Sequence, residues 1–324
     1  MDKHVVRGLG LAALVLLFFL SDHADCYGQA LAAKTVRVGF PSRSALSWPL
    51  FVAEEKKIYA TEGLAVELLL IQGGAARAVQ ILTAGDLDFV VVGTITTLTA
   101  HLKGSPVVIV SGLVNLSPFE IYVNPEIDSV RGLRGKAIVS GALGGPPHFV
   151  VSVVLRAAGL DPKRDVKQFA MAGGHNRIVA LEQRQVDAAV LEPPFSFRAA
   201  EMGFRRIASA RDYLSDDQNN AVATSRPLLQ RDPEKARKFL RAVTNGMRFI
   251  ESNREESIKV LEKYTKQSRP VLEKTYDFIV PTISEKVNMK GVEAIHQYLV
   301  DFGIVTASGD LQGFVDLRFL PRDG

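Results

Sequence analysis

L-T-A-G-D-L-D-F-V-V-V-G-T-I-T-T-L, from Leu82 to Leu98, holds a helix end, a strand and a candidate ligand cradle in one line. Gly85 follows the apolar-spaced run Ala78, Ile81, Leu82 and reads as a helix C-cap, because glycine enters the left-handed conformation without steric cost. Leu87 to Val92 is a short, nearly unbroken β-branched and aromatic run, as expected of a parallel strand covered on both faces. Gly93-Thr94-Ile95-Thr96-Thr97 then turns into another apolar-spaced segment, with small and hydroxyl residues where a helix start leaves unpaired N–H groups. In open α/β sheets, ligands sit at such strand ends.

The same unit precedes this stretch twice. Thr35 to Phe40 alternates apolar and polar residues as a strand, Pro41 to Ser47 is a loop, and Trp48 to Tyr59 has helical spacing. Leu64 to Ile71 is a second strand, Gly73-Gly74 a turn, and Ala75 to Thr83 a helix. Three strand-loop-helix repeats up to His101 predict right-handed βαβ units and a parallel sheet. Pro106 to Leu113 is a fourth strand, and Phe119 to Val123 follows with no helix between, so Gly112 to Pro118 reads as a crossing into a second lobe.

There the rhythm restarts, with strands at Lys136 to Ser140, Asp165 to Ala170, Val186 to Leu191 and Phe204 to Ala208. Helices are expected at Pro146 to Ala158, with prolines in the first turn where a missing N–H costs nothing, and at Arg177 to Arg184. The chain is expected to cross back near Asn219 to Ser225 and to be helical from Pro233, behind the capping residue Asp232. This gives one lobe over 33–113 and 215–324, carrying the C-terminal helical segment, and another over 114–214.

With 324 residues, 47% hydrophobic and 23% charged, the chain is long enough for two such lobes. Basic Lys3 and Arg7, an apolar core from Leu9 to Leu20 and a small-residue end at Ala30-Leu31-Ala32 read as a secretory signal peptide over residues 1–32. Cleavage after Gly28 or Ala30 satisfies the same rule. The sole cysteine, Cys26, lies before these sites, which removes disulfides, thiol catalysis and cysteine-ligated metals from the mature chain; a lipid anchored on Cys26 is the rival reading. Loss of residues 1–32 raises the formal charge from +4 by one. Arg198, Arg205, Arg206 and Arg211 have no alternating aromatics and read as a solvated face, so no nucleic-acid partner is expected.

Three strand-end loops are rich in glycine: 73–76, 141–147 and 173–176. Each is explained by a tight turn, but helix-start N–H groups in three such loops favour a site for anionic or carboxylate groups. None carries a phosphate-binding fingerprint. Trp48 is a candidate platform under a ligand or a core residue; His148 and His175 are candidate donors or caps; Glu192, before two prolines, either holds a ligand amine or fixes the crossing. Asp86 lies in the turn after Gly85, which argues against a catalytic pair with Asp88.

Thr35-Val36-Arg37-Val38-Gly39, Lys57 to Glu67 and Ala84-Gly85-Asp86-Leu87-Asp88-Phe89, followed by Leu133-Arg134-Gly135-Lys136, Gly159-Leu160-Asp161, Val186-Asp187-Ala188 and Glu192-Pro193-Pro194, stand in an order that resembles the periplasmic substrate-binding proteins of ABC transporters, nitrate/sulfonate/taurine type. The resemblance runs from about Thr35 to Leu320. It implies an α/β two-lobed periplasmic-binding-protein fold of type II, each lobe a mostly parallel sheet flanked by helices. It further implies a monomeric, exported, periplasmic protein that is no enzyme, closes on a small solute and presents it to a membrane permease. Neither cofactor nor metal is implied. By matching position, ligand contacts fall on Ser44, Ser47, Gly74, Ala75, Gly93, Thr94, His148, Gly174, His175, Asn176 and Glu192. Family members that bind sulfonates or nitrate carry basic or polar anion contacts, for which only Arg43 and, more weakly, Arg177 are candidates here. Relatives that bind pyrimidines or aromatic acids suit Trp48 and the hydroxyl-rich loops equally. The alternative is an enzyme on the same fold, similar to the cysteine-dependent pyrimidine-synthesising relatives of the thiamine pathway.

Overall fold

The computed structural model describes residues 35–306 and 311–321; the expected signal peptide and Cys26 lie outside them. Strands β1 (Val36–Phe40), β2 (Val66–Leu70), β3 (Phe89–Gly93) and β4 (Val107–Val114) belong to one five-stranded sheet. A second sheet holds β5 (Glu120–Val123), β6 (Ala137–Ser140), β7 (Lys167–Ala170), β8 (Ala188–Leu191) and β9 (Arg205–Ser209). The fifth strand of the first sheet is β10 (Asn220–Ser225), and the orders are β2-β1-β3-β10-β4 and β7-β6-β8-β5-β9. In each sheet the strand that arrives from the other lobe is antiparallel to both its neighbours, while β1 pairs in parallel with β2 and β3, and β6 with β7 and β8. This is the expected two-lobed α/β architecture of type II.

The run that reads as a central strand is one. All five residues of β3 are buried, and its two faces meet different partners. Val90 and Val92 pack on Ala78, Val79 and Leu82 of the helix Gly74–Ala84, whose C-cap Gly85 has the left-handed φ of 88°. Phe89 and Val91 face the other way, with the Phe89 ring stacked on Phe239 at 4.2 Å. Burial on both faces is why no polar residue interrupts the run.

The chain leaves the first sheet after Val114 and enters the second at Glu120. It returns over 210–219, which corrects the expected crossing at Asn219 to Ser225. Asn220–Ser225 is a fully paired inner strand, in which the alternate small residues Ala221 and Ala223 fit between β3 and β4. Its polar ends disguise it, because the Asn220 amide is occupied internally, donating to the Leu46 carbonyl at 3.2 Å. The C-terminal segment braces both straps. Gly112 and Asn115 N–H groups bond to the Glu285 and Thr282 carbonyls, and the backbone at Asp217 packs against Gly291 so closely that any side chain there would collide.

Helices Pro233–Ser252, Arg254–Thr265, Arg269–Ile279 and Met289–Asp301 follow the expected order, the first capped by the Asp232 side chain on the Lys235 N–H. A short helix, Arg226–Arg231, capped by Ser225, was not legible as a separate element. Among the described residues no helix is long and apolar enough to cross a membrane.

Candidate functional site

The carboxyl ends of both sheets face each other across a cavity of about 70 Å³. The first lobe contributes Ser42, Ser44, Ser47, Gly74, Ala75 and Gly93, and the second contributes Gly141, Ala142, Gly145, Pro146, Pro147, Gly173, Arg177 and Glu192. Helices beginning at Gly74, Thr94, Pro146 and Gly174 all open toward this space, so four positive helix ends converge on it. Their donor count is smaller than their number suggests. Pro146 and Pro147 have no N–H, and the Thr94 N–H is taken by the Asn219 carbonyl at 2.9 Å. Gly74 and Ala75, at the start of their helix, have no in-helix acceptor and present their amides to the cavity.

The lobes touch across this space. Ser42 Oγ donates to Glu192 Oε1 at 3.3 Å, and the Ala45 N–H donates to the Pro193 carbonyl at 3.3 Å. A Cβ at Gly93 would stand 2.7 Å from Pro146 Cδ, and one at Gly74 would stand 3.3 Å from Ala142 Cβ. Only glycine at 93 permits this approach of the two halves, which therefore stand closed on the cavity.

Arg177 and Glu192 form an ion pair in the wall, at 3% and 2% exposure. Arg177 Nε donates to the Val190 carbonyl at 2.6 Å, Nη1 to the Met171 carbonyl at 3.2 Å, and Nη2 to Glu192 Oε2. Gly174 makes room for the pair, since a Cβ there would stand 2.9 Å from Glu192 Oε1. On the helix Gly174–Glu182, Arg177 sits on the stripe shared with Gly174, Ile178 and Leu181. A charge on a buried stripe demands a buried partner, which was the sequence signal for the pair. Asn220 also lines the cavity, at the start of the inner strand β10 where a crossing is expected from the sequence.

Of the residues expected at the site, Ser44, Ser47, Gly74, Ala75, Gly93 and Glu192 are brought together. Ser44 Oγ accepts from the Leu46 N–H and Ser47 Oγ donates to the Ser42 carbonyl, so both hydroxyls also hold the loop's shape. Thr94 stands one residue behind the wall, its buried hydroxyl without a hydrogen-bond partner. Gly174 lies behind Gly173, which takes its place in the lining.

Four expected contacts lie elsewhere. Trp48 is no platform: it is fully buried in the first lobe, donates its indole N–H to the Ser257 carbonyl at 3.0 Å and meets Tyr276 edge-on. Its helix turns it toward the C-terminal helices and away from the cleft. His148 sits on the outer flank of its helix, in a groove with Ser152, Arg156 and Tyr298, where burial lowers its pKa. His175 and Asn176 are exposed in a neighbouring groove, and Asn176 Nδ2 donates to the Ala172 carbonyl as a local brace. Arg43 is exposed in that same groove. Among the described residues no cluster of His, Cys, Asp and Glu could hold a metal ion.

A family model described as NMT1/THI5 like matches residues 45–257. The chain is 23% identical over 272 residues to the putative binding protein YtlA of Bacillus subtilis, covering 77% of this chain and 76% of that protein. It is 23% identical over 293 residues to the riboflavin-binding protein RibY of Chloroflexus aurantiacus, covering 84% and 82%. The alkanesulfonate-binding protein SsuA of Xanthomonas axonopodis, solved with MOPS bound, superposes with a TM-score of 0.76 at 19% identity, covering 87% of this chain and 98% of that one.

Proposed function

The chain belongs to the NMT1/THI5-like family, and from that premise we propose that it is the solute-binding component of an ABC importer. It captures a compact solute between its lobes and offers the closed form to a permease. The observation that carries this reading is the cavity wall, to which each lobe gives about half and across which Ser42 reaches Glu192. A solute that touches both lobes favours the closed state over the open one, and only such differential affinity shifts the equilibrium. About 70 Å³, where one water needs roughly 10–15 Å³, admits a molecule of a few non-hydrogen atoms.

Export to the periplasm fits the leader read over residues 1–32 and structural neighbours such as the periplasmic aliphatic sulphonate binding protein SsuA from Escherichia coli. An enzyme on this fold would need a group free to do chemistry. Arg177 and Glu192, the ionisable side chains of the lining, are instead locked to one another.

A thermal-shift screen of residues 33–324 against sulfonates, nitrate, aromatic carboxylates, pyrimidines and small amides tests the reading. A true ligand at 100 times its dissociation constant adds about 2.7 kcal/mol and raises the melting temperature by several degrees. A screen in which no solute moves it contradicts the proposal.

A further inference from the structure

The cavity wall holds one cation and one anion, and they face each other: Arg177 is neutralised by Glu192, both side chains buried. Resting on the importer reading above, we infer that Glu192 makes this site select net-uncharged solutes and reject small oxyanions. Three of the five guanidinium N–H groups are engaged by Val190, Met171 and Glu192, leaving two for an acceptor. The Gly74 and Ala75 amides supply further donors on the opposite wall. Each Glu192 oxygen accepts one bond, from Ser42 or from Arg177, and keeps a lone pair for a ligand N–H.

A solute with a donor edge and an acceptor edge satisfies both walls, as an amide or a urea does. A nitrate or a sulfonate has acceptors only. It would leave the remaining Glu192 lone pairs without a ligand donor and set a second negative charge beside them, while two of the four helix ends cannot answer with a free first N–H. Leu46, Phe119 and Pro147 close the remaining sides with apolar surface that does nothing for a bare anion.

Calorimetric titration of the mature chain with acetamide and N-methylurea, and with nitrate and methanesulfonate, tests this without any variant. The neutral pair is expected to bind at least about tenfold more tightly than either anion. In Glu192→Gln, which keeps the shape and leaves the Arg177 charge unbalanced, nitrate or methanesulfonate affinity is expected to rise about tenfold or more over wild type. Tighter binding of either anion by the wild type overturns the inference and leaves the importer reading standing. Binding of neither class overturns the inference, while scattering measurements on the hits of the broader screen decide the importer reading separately. If Glu192→Gln folds and its anion affinity is unchanged, the role given to Glu192 is wrong even where the wild type prefers the amides.

Discussion

Gly93→Ala adds one methyl group at the point where the lobes meet. Gly93 has φ −65° and ψ 136°, an extended conformation that alanine adopts without strain, so the first lobe loses at most about 1 kcal/mol of cap preference. The cost falls on closure. The new Cβ would stand 2.7 Å from Pro146 Cδ and nearer still to Cγ, where ordinary contact begins at 3.4 Å. Pro146 opens its helix and its ring, closed on its own backbone nitrogen, can only change pucker, so the lobes must part by roughly an ångström. Overpacking of this kind costs about 1–3 kcal/mol, which raises the dissociation constant of the best solute roughly 5- to 150-fold. Calorimetry gives the affinity and thermal unfolding of the unliganded chain gives the stability, expected to stay near wild type. Pro146→Ala in the same chain removes the colliding ring atoms and should restore most of the lost affinity, a coupling that independent sites do not show. Unchanged affinity in Gly93→Ala, or no rescue by Pro146→Ala, refutes closure through this contact.

Trp48→Phe should leave solute affinity unchanged, since Trp48 faces Ser257 and Tyr276, whereas Trp48→Ala should cost about 3–5 kcal/mol of stability; denaturant unfolding and titration separate the two effects. Burial raises the Asp217 carboxyl from 3.8 to about 7, against the opposing bonds from Asn219 Nδ2 and the Gln218 N–H. The folded chain therefore keeps a proton that the unfolded chain has released between those values, so stability falls as pH rises through that window and levels off above it. The loss is at most roughly 4 kcal/mol. Asp217→Asn should flatten the slope between pH 4 and 7, and parallel melting-temperature profiles for variant and wild type would contradict the assignment.

The sheets were legible because βα units announce themselves through apolar runs, glycine turns and helical spacing, and the buried run of β3 could have served no other element. The second crossing was not, because Asn220–Ser225 carries polar and small residues whose partners come from distant segments: Asn220 on Leu46, and Thr224 on the Asp88 carbonyl at 2.7 Å. Half of the site was readable for a related reason. Glycines and serines at strand ends mark backbone approach, and Ser44, Ser47, Gly74, Ala75 and Gly93 all line the cavity. Side-chain direction was the part that sequence spacing leaves undetermined. Trp48, His148 and His175 each begin a helix beside the right loop and rotate away from it, while Arg177, one turn further in, rotates toward it. Ser42 was missed because a single hydroxyl in a loop has no periodicity to betray its face.

The central claim is that two lobes shut on a solute, and a distance across the cleft tests it most directly. Ala76 of the first lobe and Leu143 of the second are exposed and face one groove, and residues 33–324 contain no cysteine of their own. Spin labels at Ala76→Cys and Leu143→Cys should give a broad, long distance distribution without solute and a short, narrow one when the best-binding solute saturates the chain. One distribution, unchanged by a solute that calorimetry shows to be bound, would contradict the account.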